Sequence, residues 1–245
     1  MSYTIKQKFI IRNHSNTALV AKGIVLHETA TPGATAEDEY NYFNNADRNA
    51  SAHAFVDFNE IIQTVPWGEV SWHAGNTANN RFLGIELCHF DDKVKFTAIW
   101  KRATWLFAHL LVHVVKVKNV ATANLMSHAE VSAKWHESTH NDPISYFASH
   151  GKTVAAFRAD VQKQMNIMLA PPKPKFVEIA IGKRNDPSRV KKVQIALNKI
   201  GYKCLVDGIY GQITESLVTQ FQESKKLGVK RLGVIGEKTW KALVK

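Results

Sequence analysis

The stretch Gly23-Ile24-Val25-Leu26-His27-Glu28 constrains the fold more than any other part of the chain. The apolar run Ile24-Val25-Leu26 behind a glycine suits a short strand covered on both faces, the kind found inside a sheet packed between helices. The strand delivers a histidine to its C-terminal end, and α/β sheets place their binding and reacting groups outside those ends. A lone histidine there reads more readily as a strand terminator, since position in a fold does not establish function.

The flanking pattern extends this reading. Residues 5–11 look like an entry strand or extended arm. Thr35 is a candidate N-cap for a helix to about Asn45, with acids in its first turn. Residues 51–57 alternate as a strand, Asn59-Glu60 turns, and 61–65 return as the hairpin partner until Pro66-Trp67-Gly68. Ser71–Asn76 reads as a loop. Leu83-Gly84-Ile85-Glu86-Leu87-Cys88 is a further strand, and an acid within it is costly unless paired or functional. Residues 97–117 carry the broad apolar stripe of a long helix, with Trp100 and Trp105 in its core face. A helix over 153–168 closes the first domain. The expected fold is α/β, a central mixed β-sheet flanked by helices.

Pro171-Pro172-Lys173-Pro174-Lys175 resists helix and favours a stiff extended form, so the domain boundary belongs there. Beyond it lies a half-repeat, Asp207-Gly208-Ile209-Tyr210-Gly211-Gln212-Ile213-Thr214 echoed by Leu232-Gly233-Val234-Ile235-Gly236-Glu237-Lys238-Thr239. Each copy is a glycine turn with a threonine near a helix start. Helices over 188–200, 212–224 and 237–243 make a small all-α three-helix domain. The predicted division is 1–170, a linker over 171–178, and 179–245.

Charge separates the two parts. Residues 171–245 hold 16 Lys+Arg against 6 Asp+Glu, whereas residues 1–170 hold 16 against 15. The basic part suits a polyanion: nucleic acid, anionic lipid or an anionic wall polymer. It lacks the aromatic interleaving of single-strand binders, so nucleic acid is not the expected partner. No apolar run is long enough for a membrane helix, and membrane insertion is not expected. The first residues lack the apolar core and cleavage site of a secretory signal. Two cysteines, Cys88 and Cys204, are too few for a disulfide framework.

Two histidines and a carboxylate stand out: His27, His128 in Leu125-Met126-Ser127-His128, and Asp142 in His140-Asn141-Asp142-Pro143. Zinc catalysis uses about three nitrogen or oxygen ligands and an open position for water. Glu86 could take a proton from that water, and His140 could steady a developing oxyanion. His140 itself competes with Asp142 as third ligand. His109 and His113 are four apart on the long helix but have an apolar surround and no third ligand nearby in sequence.

The ordered set VLHETA, ASAHAFVD, WHAGN, GIELC, SHAEVS and HNDP resembles the zinc N-acetylmuramoyl-L-alanine amidase family, over roughly residues 20–150. The resemblance implies a single Zn2+ on His27, His128 and Asp142, with Glu86 as catalytic glutamate. It places His140 two residues before the third ligand, where relatives often have lysine. The interval from His128 to Asp142 is longer than in many relatives, which leaves Lys134 as a second candidate for that role. His53, Trp72, His73 and Asn76 are expected to line the substrate groove, with core packing or a hydrogen-bonded hairpin histidine as the equal alternative. The implied reaction is hydrolysis of the amide between N-acetylmuramic acid and L-alanine in bacterial peptidoglycan. The C-terminal part resembles the three-helix peptidoglycan-binding domain, which makes peptidoglycan, with anionic wall polymers, the expected partner of a monomer. With no signal segment, the expected role is a phage or prophage endolysin held in the host cytoplasm until lysis and then acting on the wall. A bacterial autolysin and a non-catalytic wall receptor are the alternatives.

Overall fold

The computed structural model describes residues 2–171 and 175–244. Two compact units divide the chain, Met1–Pro171 and Pro172–Lys245. The proline-rich stretch falls in part, at 172–174, outside the described residues.

The first unit runs β1 (Lys6–Gln7), β2 (His14–Ala18), β3 (Gly23–Glu28), α1 (Ala36–Asn45), β4 (Ala54–Val56), β5 (Ile61–Gln63), β6 (Glu69–Ser71), α2 (Asn76–Asn79), β7 (Phe82–Leu87), α3 (Lys93–His113), β8 (Leu125–Ser127), α4 (His128–Trp135), α5 (Ile144–Ser149) and α6 (Val154–Leu169). Six strands form a mixed sheet in the order β1-β5-β4-β7-β3-β8. Strand β3 lies parallel to both β7 and β8, while β4 runs parallel to β7 and forms an antiparallel hairpin with β5.

Side chains alternate across this sheet. Ile24 and Leu26 join Leu83, Ile85 and Leu125 in the main core, together with Phe107, Leu110, Phe157 and Val161 from α3 and α6. Val25 faces the other way, into a smaller cluster with Ala74, Phe82, Met126 and Val131. Cover on both faces explains why β3 reads as a continuous apolar run.

Helix α3 begins four residues before the apolar stripe suggested. The Asp92 carboxylate accepts the Val94 and Lys95 N–H groups and caps it. It also stops sooner: Lys116 adopts φ +63, and the Val115 and Val117 N–H groups turn back to the Leu110 and Leu111 carbonyls. The small antiparallel sheet of β2 and β6 was not legible, because HSNTA and EVS carry no apolar alternation that would mark them.

The second unit holds α7 (Pro187–Lys199), α8 (Gln212–Ser224) and α9 (Glu237–Leu243), close to the expected boundaries. The half-repeat has a physical basis in two buried glutamines. Gln194 accepts the Gly208 N–H and donates to the Asp207 carboxylate and the Ile209 carbonyl. Gln222 likewise accepts the Gly233 N–H and donates to the Val234 carbonyl and the Thr239 hydroxyl. Both glycines have positive φ, which suits a residue without Cβ. Leu232 replaces Asp207 in the second copy, so that turn loses one acceptor and keeps the rest. The Tyr210 hydroxyl ties the copies together by donating to the Gly233 carbonyl at 2.7 Å.

Removing such a glutamine strands buried polar groups, which costs about 1–3 kcal/mol. Gln222→Ala should therefore destabilise the second unit by about that much, read by calorimetry of the full chain, with the first unit's transition unmoved.

Candidate metal centre and substrate cleft

Parallel register assembles the site. His27 on β3 pairs with Glu86 on β7, and Leu26 pairs with Ser127, the last residue of β8. His128 follows immediately as the first residue of α4. Three side chains from three neighbouring strand ends thus meet at one edge of the sheet.

Helix α4 is started by a reciprocal cap. The Ser127 hydroxyl accepts the Glu130 N–H and the Glu130 carboxylate accepts the Ser127 N–H. Arg158 of α6 pairs with Glu130 and donates to the Leu125 carbonyl, so the end of β8 is held on two sides. Asp142 arrives from the loop before α5. Its carbonyl accepts the Ala129 N–H, and its carboxylate accepts the Glu28 N–H at 3.3 Å.

The result is a tight cluster. His27 Nδ1 lies 3.0 Å from His128 Nδ1 and 3.3 Å from Asp142 Oδ2, and His128 Nδ1 lies 3.0 Å from Asp142 Oδ1. One ligand atom from each of the three residues lies within 4.8 Å of the others. Both histidines are buried. Two ring nitrogens turned toward each other beside a carboxylate make a poor apolar core and a fitting donor set for zinc. Burial lowers the pKa of His27, with Asp142 opposing and His128 reinforcing the shift. Burial would raise Asp142, but its contacts with His128 and His27 outweigh that and hold its carboxyl well below the usual range.

Glu86 stands beside this cluster, its Oε1 3.9 Å from His27 Nδ1. Its Oε2 is buried with no hydrogen-bond partner among the described residues. Desolvation, then the charges of Asp142, Glu39 and Glu28, push its pKa well above the ordinary carboxyl value. A carboxyl so placed, beside the cluster and without a hydrogen-bond partner on Oε2, is positioned to exchange a proton with a group in the cavity.

A cavity of about 500 Å³ opens over the cluster, and its lining includes His27, Glu86, His128, His140, Asp142 and Trp72. His140 stacks on His128, ring centroids 4.9 Å apart, with its side chain 71% exposed and Nδ1 3.9 Å from Asp142 Oδ1. Lys134 instead lies over the Trp135 ring and outside the lining of this cavity. Of the two candidates for that role, the fold brings His140 to the cluster. His109 and His113 face each other on α3, away from it.

The four expected groove residues separate. Trp72 and His73 line the cavity. His53 does not: it is fully buried, donates through Nε2 to the Glu69 carbonyl, and through Nδ1 meets the Ser71 hydroxyl and accepts the Gly84 N–H. It staples β4, β6 and β7 together, and no ring atom is left for a ligand. Asn76 is exposed at the start of α2, outside the cavity lining. Substrate contact by His53 is corrected on these grounds, and Asn76 has no wall of the cavity to supply.

Sequence reasoning missed Glu39, Asp38 and Tyr42, which α1 contributes to the cavity wall. The acids looked like helix-dipole partners, and only tertiary packing turns Glu39 inward. It also missed α4, although Ser127 and Glu130 at N-cap and N3 spacing were a usable signal.

The match with known proteins decides the family. Residues 17–145 match the family model described as N-acetylmuramoyl-L-alanine amidase. The chain belongs to this amidase family. Residues 186–243 match a peptidoglycan binding domain model. A Bacillus licheniformis protein named as an N-acetylmuramoyl-L-alanine amidase is 33% identical over 91% of this chain, which spans 66% of that relative's length. The hydrolase AmiA of Staphylococcus aureus, solved with its ligand, superposes with TM-score 0.64 at 25% identity, covering 71% of this chain and 89% of that one. A mutant endolysin from Bacillus subtilis gives TM-score 0.53 at 29% identity, covering 65% of this chain and 99% of that one. Among the described residues no helix is long and apolar enough to cross a membrane.

His53 supplies a pH signature for the amidase unit. Burial pushes its pKa from 6.5 down to about 4, partly opposed by its bond to the Glu69 carbonyl. The unfolded chain takes up that proton first, so stability is full above pH about 6.5 and falls as pH drops toward 4. The loss from this one residue is about 3 kcal/mol. Urea melts between pH 7 and 4 should show it, and His53→Gln should flatten that slope while lowering stability at pH 7.

Proposed function

We propose that the chain hydrolyses the amide between N-acetylmuramic acid and the L-alanine of the stem peptide in bacterial peptidoglycan. The observation that carries this reading is the His27–His128–Asp142 cluster at the floor of an open cavity, with the Glu86 carboxyl 3.9 Å from His27 beside it. Family membership supplies the bond.

His27, His128 and Asp142 are the residues that would hold zinc. Bound there, zinc supplies Lewis acidity toward the scissile carbonyl and the attacking water. Glu86, as the carboxylate, takes the proton of that water and passes it to the departing amine, a role that its place beside the cluster suits. His140, exposed at the rim and stacked on His128, offers a ring N–H to the developing oxyanion. Trp72 and His73 flank the substrate.

The first unit is the catalytic domain and the second the wall-binding one. The excess of 16 Lys+Arg over 6 Asp+Glu in residues 171–245 favours walls rich in anionic polymers. Tethering then raises the local substrate concentration for the enzyme. An endolysin stands among the similar structures and bifunctional autolysins among the similar sequences; we read the chain as a phage or prophage lysin acting as a monomer, with a bacterial autolysin as the alternative.

Mass spectrometry of digested peptidoglycan tests the reaction. The expected products are free stem peptides beginning with L-alanine and unsubstituted muramic acid; cleavage within the glycan or the peptide would contradict it. Chelation should abolish wall clearing and zinc should restore it. Glu86→Gln should keep zinc, measured by metal analysis, while losing ~10²-fold or more in rate.

A further inference from the structure

His27 has a second contact on the side away from the cluster. Its Nε2 lies 3.0 Å from His73 Nδ1, and His73 Nε2 lies 3.1 Å from the Phe82 carbonyl. A backbone carbonyl can only accept, so His73 carries its proton on Nε2. His73 Nδ1 is then an acceptor, and His27 Nε2 must be the donor. That leaves the lone pair of His27 on Nδ1, the nitrogen facing His128 and Asp142.

The surrounding fold is built to hold His73 there. Gly84 is the register partner of Val25, two pairs before His27–Glu86 and so on the same sheet face. A Cβ at Gly84 would come within 2.4 Å of the His73 ring, so glycine opens the slot in which the ring lies. The Asn79 side chain accepts the His73 and Ala74 N–H groups and fixes the loop. A ring that only lined the cleft would need neither the slot nor a bond at each nitrogen.

We infer that His73 is a positioning residue: through the chain Phe82 carbonyl–His73–His27 it fixes the tautomer and orientation of a metal-ligating histidine. The inference rests on the zinc reading given above. Outer partners of this kind raise the basicity of the ligand and set its angle, and losing one typically weakens metal binding 10–100-fold. Ser138 stands in the corresponding place for the other histidine, its hydroxyl 2.9 Å from His128 Nε2.

The test is zinc affinity by competition with a chromophoric chelator, on the full chain. His73→Leu should bind zinc about 10–100-fold more weakly than the wild type. His73→Gln keeps an acceptor toward His27 and a donor toward Phe82, and should recover most of that loss. Equal impairment of both variants would mean that packing over Gly84 is what matters, and would overturn the inference. So would a His73→Leu variant with wild-type affinity. A wild type that fails to bind zinc would instead overturn the metal reading. Ring 1H–15N correlations on the zinc-loaded wild type need no variant: the His73 proton is expected on Nε2, and finding it on Nδ1 contradicts the inference.

Discussion

Everything at the site depends on the parallel register of β7, β3 and β8. Because His27 pairs with Glu86 and Leu26 with Ser127, the acid and both histidines leave the sheet at one level. A slip of one residue would turn these side chains to the opposite face. The register is held by the main core, where Ile24, Leu26, Leu83 and Ile85 are fully buried against α3 and α6. Stability of the apolar face and geometry of the polar face are therefore one property of the same three strands.

The polar face carries a cost that the fold offsets in stages. Two histidines and two carboxyl groups crowd a partly buried space, and each alone would be unfavourable there. Contacts with the two histidines hold the Asp142 pKa down, while desolvation and then the charges of Asp142, Glu39 and Glu28 push that of Glu86 up. Two acids a few ångströms apart are thus pushed in opposite directions by their surroundings. This divergence separates a group suited to holding a cation from one suited to moving a proton.

Much of this was legible because it rests on local pattern. The apolar run before His27, the single acid in LGIEL and the proline after Asp142 each announce themselves. The half-repeat of the C-terminal part was also readable, and Gln194 and Gln222 give its physical reason. What could not be read depends on packing at a distance. Nothing in the sequence distinguishes His53, locked between three strands, from His73, which reaches both the cleft and His27. The choice between His140 and Lys134 likewise turned on the path of the loop after α4, where Glu137 accepts the Thr77 N–H and anchors that segment to α2. Helix ends shifted where a capping group such as Asp92 lay outside the apolar stripe.

The most direct test of the central claim is anomalous diffraction at the zinc edge from crystals of the zinc-loaded protein. One peak is expected in the first unit, bonded to Nδ1 of His27, Nδ1 of His128 and the carboxylate of Asp142. A peak held by other residues, or coordination through Nε2 of His27, would contradict it.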